Sequence, residues 1–211
     1  MDGTLASLHR PDGGITGVVW WALASPVLLL PPRRRRRVLV LGLGGGSVVG
    51  ALRVLTPEIE VVGVERDAGV IDVARRHLGL DRLALEMVNR DARDFLERSR
   101  RTFDLIVEDL FVGPSRAVRK PGWVLEGGYS EIRRHLRPGG ILSANTIHEM
   151  PALVRAVRAF GEPIVSLDVR GHWNRIVVSG RALPEPREVR RRLQRHPALA
   201  PVLAALSVRR R

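Results

Sequence analysis

The chain has 211 residues, 45% of them apolar, which suffices for the core of one domain of ordinary size with a small appendage. The absence of cysteine excludes disulfides, a thiolate metal site and a cysteine nucleophile. The net charge of +13 favours polyanions in general, but only 4% of residues are aromatic, which leaves few platforms for stacking single-stranded bases.

Lys120 is the sole lysine among 35 cationic residues, so the charge is almost all arginine, a skew that codon bias also favours. The six histidines are scattered and show no metal-ligand spacing. Residues 1–13 are polar and contain a Pro11-Asp12-Gly13 turn. Ile15 to Trp20 reads as a short strand and Trp21 to Leu30 as a helix ended by Pro31-Pro32. The apolar stretch Val18 to Leu30 is too short to span a bilayer. Its flank, with Asp2, His9, Arg10 and Asp12, lacks the basic start of a signal peptide. A buried packing segment is expected, in a soluble cytoplasmic protein without a membrane partner. The run Arg33 to Arg37 reads as a solvated approach to the first strand.

The most informative stretch follows. An apolar run, Val38 to Leu41, breaks at Gly42 into a turn carrying Gly44, Gly45, Gly46 and Ser47. A helix from about Ser47 to Leu55 comes next, then a strand, Glu60 to Val64, that ends on Glu65. Strand, glycine turn, helix, strand and acid open a nucleotide-binding α/β sheet. Glycines let the backbone approach a ligand, and a carboxylate at the second strand's end can accept from two ribose hydroxyls. A diphosphate wants helix-terminal N–H groups, whereas a nucleoside needs only the close approach. The stretch thus suits a nucleoside-type cofactor such as S-adenosylmethionine; NAD and a purely structural turn stay open.

Asp67 can cap a helix over about Ala68 to Leu78. A third strand is expected at about Ala84 to Val88, and Asp91 starts a short helix. Strand four, Phe103 to Val107, is apolar throughout, as burial on both faces requires. The long loop from Phe111 to Gly122 follows a parallel strand and reads as functional. A helix over about Gly128 to Leu136 turns through Pro138-Gly139-Gly140 into strand five, Ile141 to Asn145. After a helix near Ala152 to Phe160, the runs Pro163 to Val169 and Asn174 to Ser179 form a hairpin about Arg170-Gly171-His172-Trp173. The tail has a helical pattern, with arginines at 187, 190, 191, 192 and 195. Right-handed crossovers then place helices on both faces of a parallel sheet, and ligands at the strands' carboxyl ends. Gly42, Glu65, Asp91, Glu108 and Asp109 converge on that edge.

GLGGGS, the acid Glu65, NRDARDFL, FDLIVEDL and LRPGGIL, in this order, resemble the class I S-adenosylmethionine-dependent methyltransferase superfamily over about residues 36–180. VERDAGVIDVARRHL and FDLIVEDL…VGP are similar to its spermidine synthase-like branch. The resemblance implies an α/β Rossmann-like, doubly wound, mostly parallel seven-stranded sheet with a closing antiparallel hairpin. It implies an N-terminal extension (1–35), an S-adenosylmethionine-binding domain (36–182) and a helical basic tail (183–211). Gly42, Gly44, Gly45, Gly46 and Ser47 would then pass beneath the cofactor, with Glu65 on the ribose and Arg66 beside the adenine. Asp91 would accept from the adenine amino group, Ala92 would meet the ring by its backbone, and Asp109 would border the cofactor. Asp91 also reads as a plain helix cap.

Asp109 falls where aminopropyltransferases hold the first aspartate of a D-x-x-D pattern. The second is missing, because Leu110, Phe111 and Val112 follow, and the branch's N-terminal β domain is largely absent. The expected activity is therefore methyl transfer to a small acceptor, with Asp109 or Glu108 as general base and His148 behind them. Glu108 also reads as a solvent-facing residue at the strand end. Aminopropyl transfer from decarboxylated S-adenosylmethionine and cofactor binding without catalysis are the alternatives. Nucleic acid as a partner rests on charge alone, with no N-P-P-Y-type motif, and a homodimer stays open. An acceptor pocket is expected between the Phe111–Gly122 loop and Trp20-Trp21, with an apolar wall of Trp20, Trp21 and Phe111 and a loop open to protease at Arg116, Arg119 and Lys120.

Overall fold

The computed structural model describes residues 17–114 and 117–211. Its centre is β1 (Arg37–Leu41), in which Val38, Leu39, Val40 and Leu41 are all buried. Side chains of a strand alternate between faces, so four consecutive buried residues require cover on both. The strands that follow are β2 (Glu60–Glu65), β3 (Glu86–Asn89), β4 (Phe103–Glu108), β5 (Leu136–Thr146), β6 (Ile164–Val169), β7 (Arg175–Ser179) and β8 (Leu206–Arg210). They form one sheet in the order β3-β2-β1-β4-β5-β7-β6-β8. β1 to β5 run parallel; β7 inserts antiparallel between β5 and β6, and β8 runs antiparallel along β6.

The helices are α1 (Val18–Ala24), α2 (Ser47–Leu55), α3 (Ala68–His77), α4 (Ala92–Arg98), α5 (Tyr129–Arg134), α6 (Met150–Arg158), α7 (Pro186–Gln194) and α8 (Ala200–Ala204). One core lies on the face of Val38, Val40, Leu105 and Val107, where Leu23, Leu52, Ile71, Leu193 and Val202 pack. The other lies on the face of Leu39, Leu41 and Ile106, under Phe95, Ile132 and Leu153. The chain leaves β1 toward β2 on one side and reaches β4 on the other, so the strand order reverses at the carboxyl ends of β1 and β4, the edge where sheets of this kind bind ligands.

Three expectations change. Of the strand expected over Ile15 to Trp20, residues 15 and 16 lie outside the described residues, and Val18–Ala24 is helical. A short 3₁₀ turn over Ser25–Leu29 continues it, with Pro26 near its start. From Val19 to Leu30 every residue is buried, and an apolar run that is buried all round carries no period to separate helix from strand. The sheet has eight strands rather than seven. The eighth comes from the tail expected to be helical, where Leu206 is buried and alternates with exposed Ser207 and Arg209. Its arginines mask a strand pattern only five residues long.

Candidate active site

The turn after β1 is shaped by the protein's own packing. Gly42 has φ +83°, and a Cβ there would lie 2.6 Å from the Asp109 carbonyl oxygen. A side chain at Gly46 (φ +87°) would meet the methyl groups of Leu80 and Leu83 at 2.9 and 2.8 Å. These two glycines let strand ends and helix pack closely, and this places the turn at that edge. Gly46 is the left-handed residue from which α2 departs, with Ser47 as its first residue, and Gly45 lies between Gly44 and that start.

Glu65 ties the turn to the end of β2. Its Oε2 accepts from the Gly44 amide at 3.0 Å and its Oε1 from the Asp67 amide at 3.1 Å. The carboxylate is only partly buried, and each oxygen, with one bond accepted, keeps capacity for another. Asn89, at the end of β3, donates through Nδ2 to the carbonyls of Glu65 at 2.9 Å and Arg66 at 3.0 Å, and so sets the path of the chain past the acid. Asp91 caps α4, its Oδ1 accepting from the Arg93 amide at 2.8 Å; it is exposed, while Ala92 beside it is buried. The cap is thus real and occupies one of two oxygens. Arg66 is exposed.

At the end of β4, Asp109 and Glu108 point to opposite faces of the sheet and meet different surroundings. The Asp109 amide donates to Leu41 O at 2.9 Å, which closes the β1–β4 edge. Its Oδ1 accepts from Asn145 Nδ2 at 2.8 Å, and Asn145 Oδ1 accepts in turn from Asn174 Nδ2 at 3.1 Å. The side chain of Trp20 lies close enough to the Asp109 carboxyl to favour its charged form. Desolvation raises the Asp109 pKa above its ordinary value; the Asn145 hydrogen bond, the Lys120 charge and the neighbouring Trp20 oppose this, and the Glu108 charge adds to it.

Glu108 does not face solvent. It is 0% exposed, with Oε1 accepting from Lys120 Nζ at 2.5 Å and from the Leu110 amide at 2.7 Å. Its Oε2 accepts from the Tyr129 hydroxyl at 2.6 Å. Both Glu108 oxygens are thus engaged inside the core, by groups of the loop after β4 and of α5. Burial, with the Glu108 charge second, pushes the Tyr129 hydroxyl well above its usual pKa.

The loop after β4 is likewise more fixed than expected. Val112 and Arg119 form a bridge, the Lys120 amide donates to Glu149 Oε1 at 2.9 Å, and Lys120 is buried. Its ammonium also lies 4.2 Å from the centre of the Phe111 ring. Lys120 is therefore not open to protease, whereas Arg119 is exposed; Arg116 lies outside the described residues. Trp20 and Trp21 are both buried, because α1 is enclosed between α2, α8 and the sheet. Trp20 thus meets the site only beside Asp109, and the broad apolar wall expected there is narrowed. His148 is exposed just past β5.

The sequence reading did not single out Asn89, Asn145, Asn174 or Tyr129. A polar residue closing an apolar strand, as Asn145 closes ILSAN, was the available signal for the first two. The lone lysine in an arginine-rich chain was the signal for the buried pair. Among the described residues no cluster of His, Asp and Glu could hold a metal ion, and no helix is long and apolar enough to cross a membrane.

The methyltransferase-domain family matches residues 38–140, which run from β1 into β5. Among curated proteins the chain is similar to a probable polyamine aminopropyl transferase of Bifidobacterium longum (strain NCC 2705). The two are 26% identical over 140 residues, 66% of this chain and 30% of that protein. The chain spans about a third of the length of the curated relatives it matches. Among solved structures it resembles human methyltransferase-like protein 13, solved in complex with SAH. That likeness has a TM-score of 0.69 at 21% identity and covers 87% of this chain and 90% of the other. It also resembles spermidine synthase from Thermotoga maritima, with a TM-score of 0.63 at 19% identity over 82% and 65% of the two chains. At these identities the likeness to solved structures establishes the fold: an α/β sheet of the class I methyltransferase type with its antiparallel hairpin.

Proposed function

We infer that this chain belongs to the class I S-adenosylmethionine-dependent methyltransferase superfamily, beside its spermidine synthase-like branch, and is a cytoplasmic methyltransferase. It uses S-adenosylmethionine and acts on a small acceptor bearing an amine or hydroxyl. The observation that carries the reading is the Glu65 carboxylate, bound to the Gly44 amide of the glycine turn and still partly exposed at the end of β2. That arrangement fits a ribose diol beside a backbone free of side chains.

Glu65 would accept the two ribose hydroxyls, and the chain from Gly42 to Ser47 would pass beneath the ribose and methionine portion. Arg66 would lie beside the adenine. Asp91 would accept from the adenine amino group with the oxygen not used in capping, and the Ala92 backbone would meet the ring. When bound, the cofactor supplies a methyl group already activated by its sulfonium. The protein's remaining task is alignment and proton management. Asp109, at the switch between β1 and β4, takes the proton that an amine or hydroxyl acceptor releases on methylation. Its raised pKa suits a base working nearer neutrality than a free carboxylate. Asn145 holds the carboxylate in place while it does so.

Aminopropyl transfer is the second reading, favoured by the likeness to the aminopropyl transferase relatives. Against it stand Leu110, Phe111 and Val112, which put apolar residues where a second acid would anchor a polyamine. One comparison separates the two. The protein is given S-adenosylmethionine with a panel of small amines and phenols, or decarboxylated S-adenosylmethionine with putrescine or spermidine. Methylated product with S-adenosylhomocysteine is the expected outcome. Aminopropyl transfer with kcat/KM on the order of 10⁴ M⁻¹s⁻¹ would reverse the order of the readings.

A further inference from the structure

We propose that the tip of the β6–β7 hairpin is the acceptor-recognition element of this site, and that it takes a flat aromatic ring carrying a phosphate, the size of one mononucleotide. The proposal deepens the methyltransferase reading and rests on Asp109 as the group facing the acceptor. Trp173, at the tip, is 79% exposed. Trp20 and Trp21 are buried and Trp123 is partly buried. A tryptophan left in water on a hairpin offers a face on which a ring can stack.

The tip also stands at the reactive edge. Asn174, next to Trp173, is joined through Asn145 to the Asp109 carboxylate by hydrogen bonds of 3.1 and 2.8 Å. His148, from the loop after β5, lies with its ring 6.3 Å from that of Trp173. A ring stacked at Trp173 is therefore held on the same strand ends that carry the base.

Beside the tip, between the hairpin and β8, is a cavity of about 300 Å³. Four arginines line it (Arg170, Arg175, Arg209 and Arg211) against one carboxylate, Asp168. Arg209 and Arg211 already engage Asp168, at 3.4 and 3.0 Å. Among the described residues, Arg170 and Arg175 are exposed and have no ion pair. Guanidinium groups without counter-charge favour a phosphate, which they can bind through paired N–H donors. The volume lies at the small end of ligand pockets, which suits one nucleotide better than a folded partner.

The test is calorimetry with uridine 5′-monophosphate while S-adenosylhomocysteine fills the cofactor site. A pyrimidine nucleotide is used so that adenine does not confuse the two sites. Both Trp173→Ala and Arg175→Gln alter exposed side chains, so folding should be retained. Each is expected to weaken binding by about tenfold or more, and uridine without its phosphate should bind about tenfold more weakly than the nucleotide. Absence of nucleotide binding, or equal affinity in both variants, would overturn the proposal. Hexauridylate binding more than about tenfold tighter than the mononucleotide would also overturn it, in favour of a single strand. S-adenosylhomocysteine affinity is measured separately: its loss with nucleotide binding intact removes the cofactor reading and leaves the ring-and-phosphate site standing.

Discussion

Lys120 Nζ lies 2.5 Å from Glu108 Oε1, and neither side chain reaches solvent. Everywhere else this chain places an arginine where it needs a cation. Here the charge must fit under the Phe111 ring, against a carboxylate whose other oxygen is held by Tyr129. A compact ammonium fits such a position, and a planar guanidinium fork does not.

Removing one member should expose the cost of burying the other. Lys120→Met leaves Glu108 as an uncompensated buried charge and should destabilise the fold by about 3–5 kcal/mol, read by urea unfolding. The double variant Lys120→Met/Glu108→Gln should recover a large part of that loss. Tyr129→Phe removes one hydrogen bond to a charged group and should cost about 1.5–3 kcal/mol. A Lys120→Met protein unfolding at the wild-type urea midpoint would show that the pair does not hold the loop.

Asp109 should reveal itself in the pH profile of turnover. Its pKa is raised by desolvation, so the acid limb should lie above the range of a free aspartate. Asn145→Ala removes a hydrogen bond that favours the charged form, and the limb should move further toward neutral pH. An unchanged limb in that variant would separate Asp109 from the proton transfer.

Asp109 should also limit stability. Its folded pKa exceeds the unfolded one, so between the two values the folded state binds more protons and stability falls as pH rises. Above the folded pKa the whole cost is present. Asp109→Asn should therefore unfold no more easily than the wild type near neutral pH, while its turnover collapses and its cofactor affinity stays close to wild type. Unfolding and activity measured on one preparation check both parts.

Gly42→Ala should act through the backbone. The position has φ +83°, and a Cβ would lie 2.6 Å from the Asp109 carbonyl oxygen. Strain of about 1–3 kcal/mol is expected, and any relief must displace Asp109. Turnover should then drop more than cofactor affinity. A variant with wild-type stability and turnover would show that the β1–β4 edge tolerates a wider spacing.

Much of this was legible in the sequence because it rests on local signals. Ser47 to Leu55 is helical from the residue where the glycines end, and Asp67 caps α3 through the Gly69 and Val70 amides. The acid at the end of β2 lies against the glycine turn because both are strand-end features on one edge. The parts that were not legible depend on partners far away in the chain. Glu108 read as exposed because it ends a strand, yet Lys120 and Tyr129 arrive from later segments and enclose it. Asn145 and Asn174 are ordinary polar residues until the order β4-β5-β7 lines them up beside Asp109. β8 hides behind its arginines, since only Leu206 and the half-buried Val208 mark its inner face.

The claim that the Gly44–Glu65 contact is a ribose site is tested most directly by calorimetry on the wild type and on Glu65→Ala. The titrants are S-adenosylmethionine, its decarboxylated form, S-adenosylhomocysteine and NAD. The account predicts that S-adenosylmethionine and S-adenosylhomocysteine bind, that NAD does not, and that Glu65→Ala weakens both by about 1–3 kcal/mol. Equal affinity in the variant, or tight NAD binding without binding of either adenosyl ligand, would contradict it.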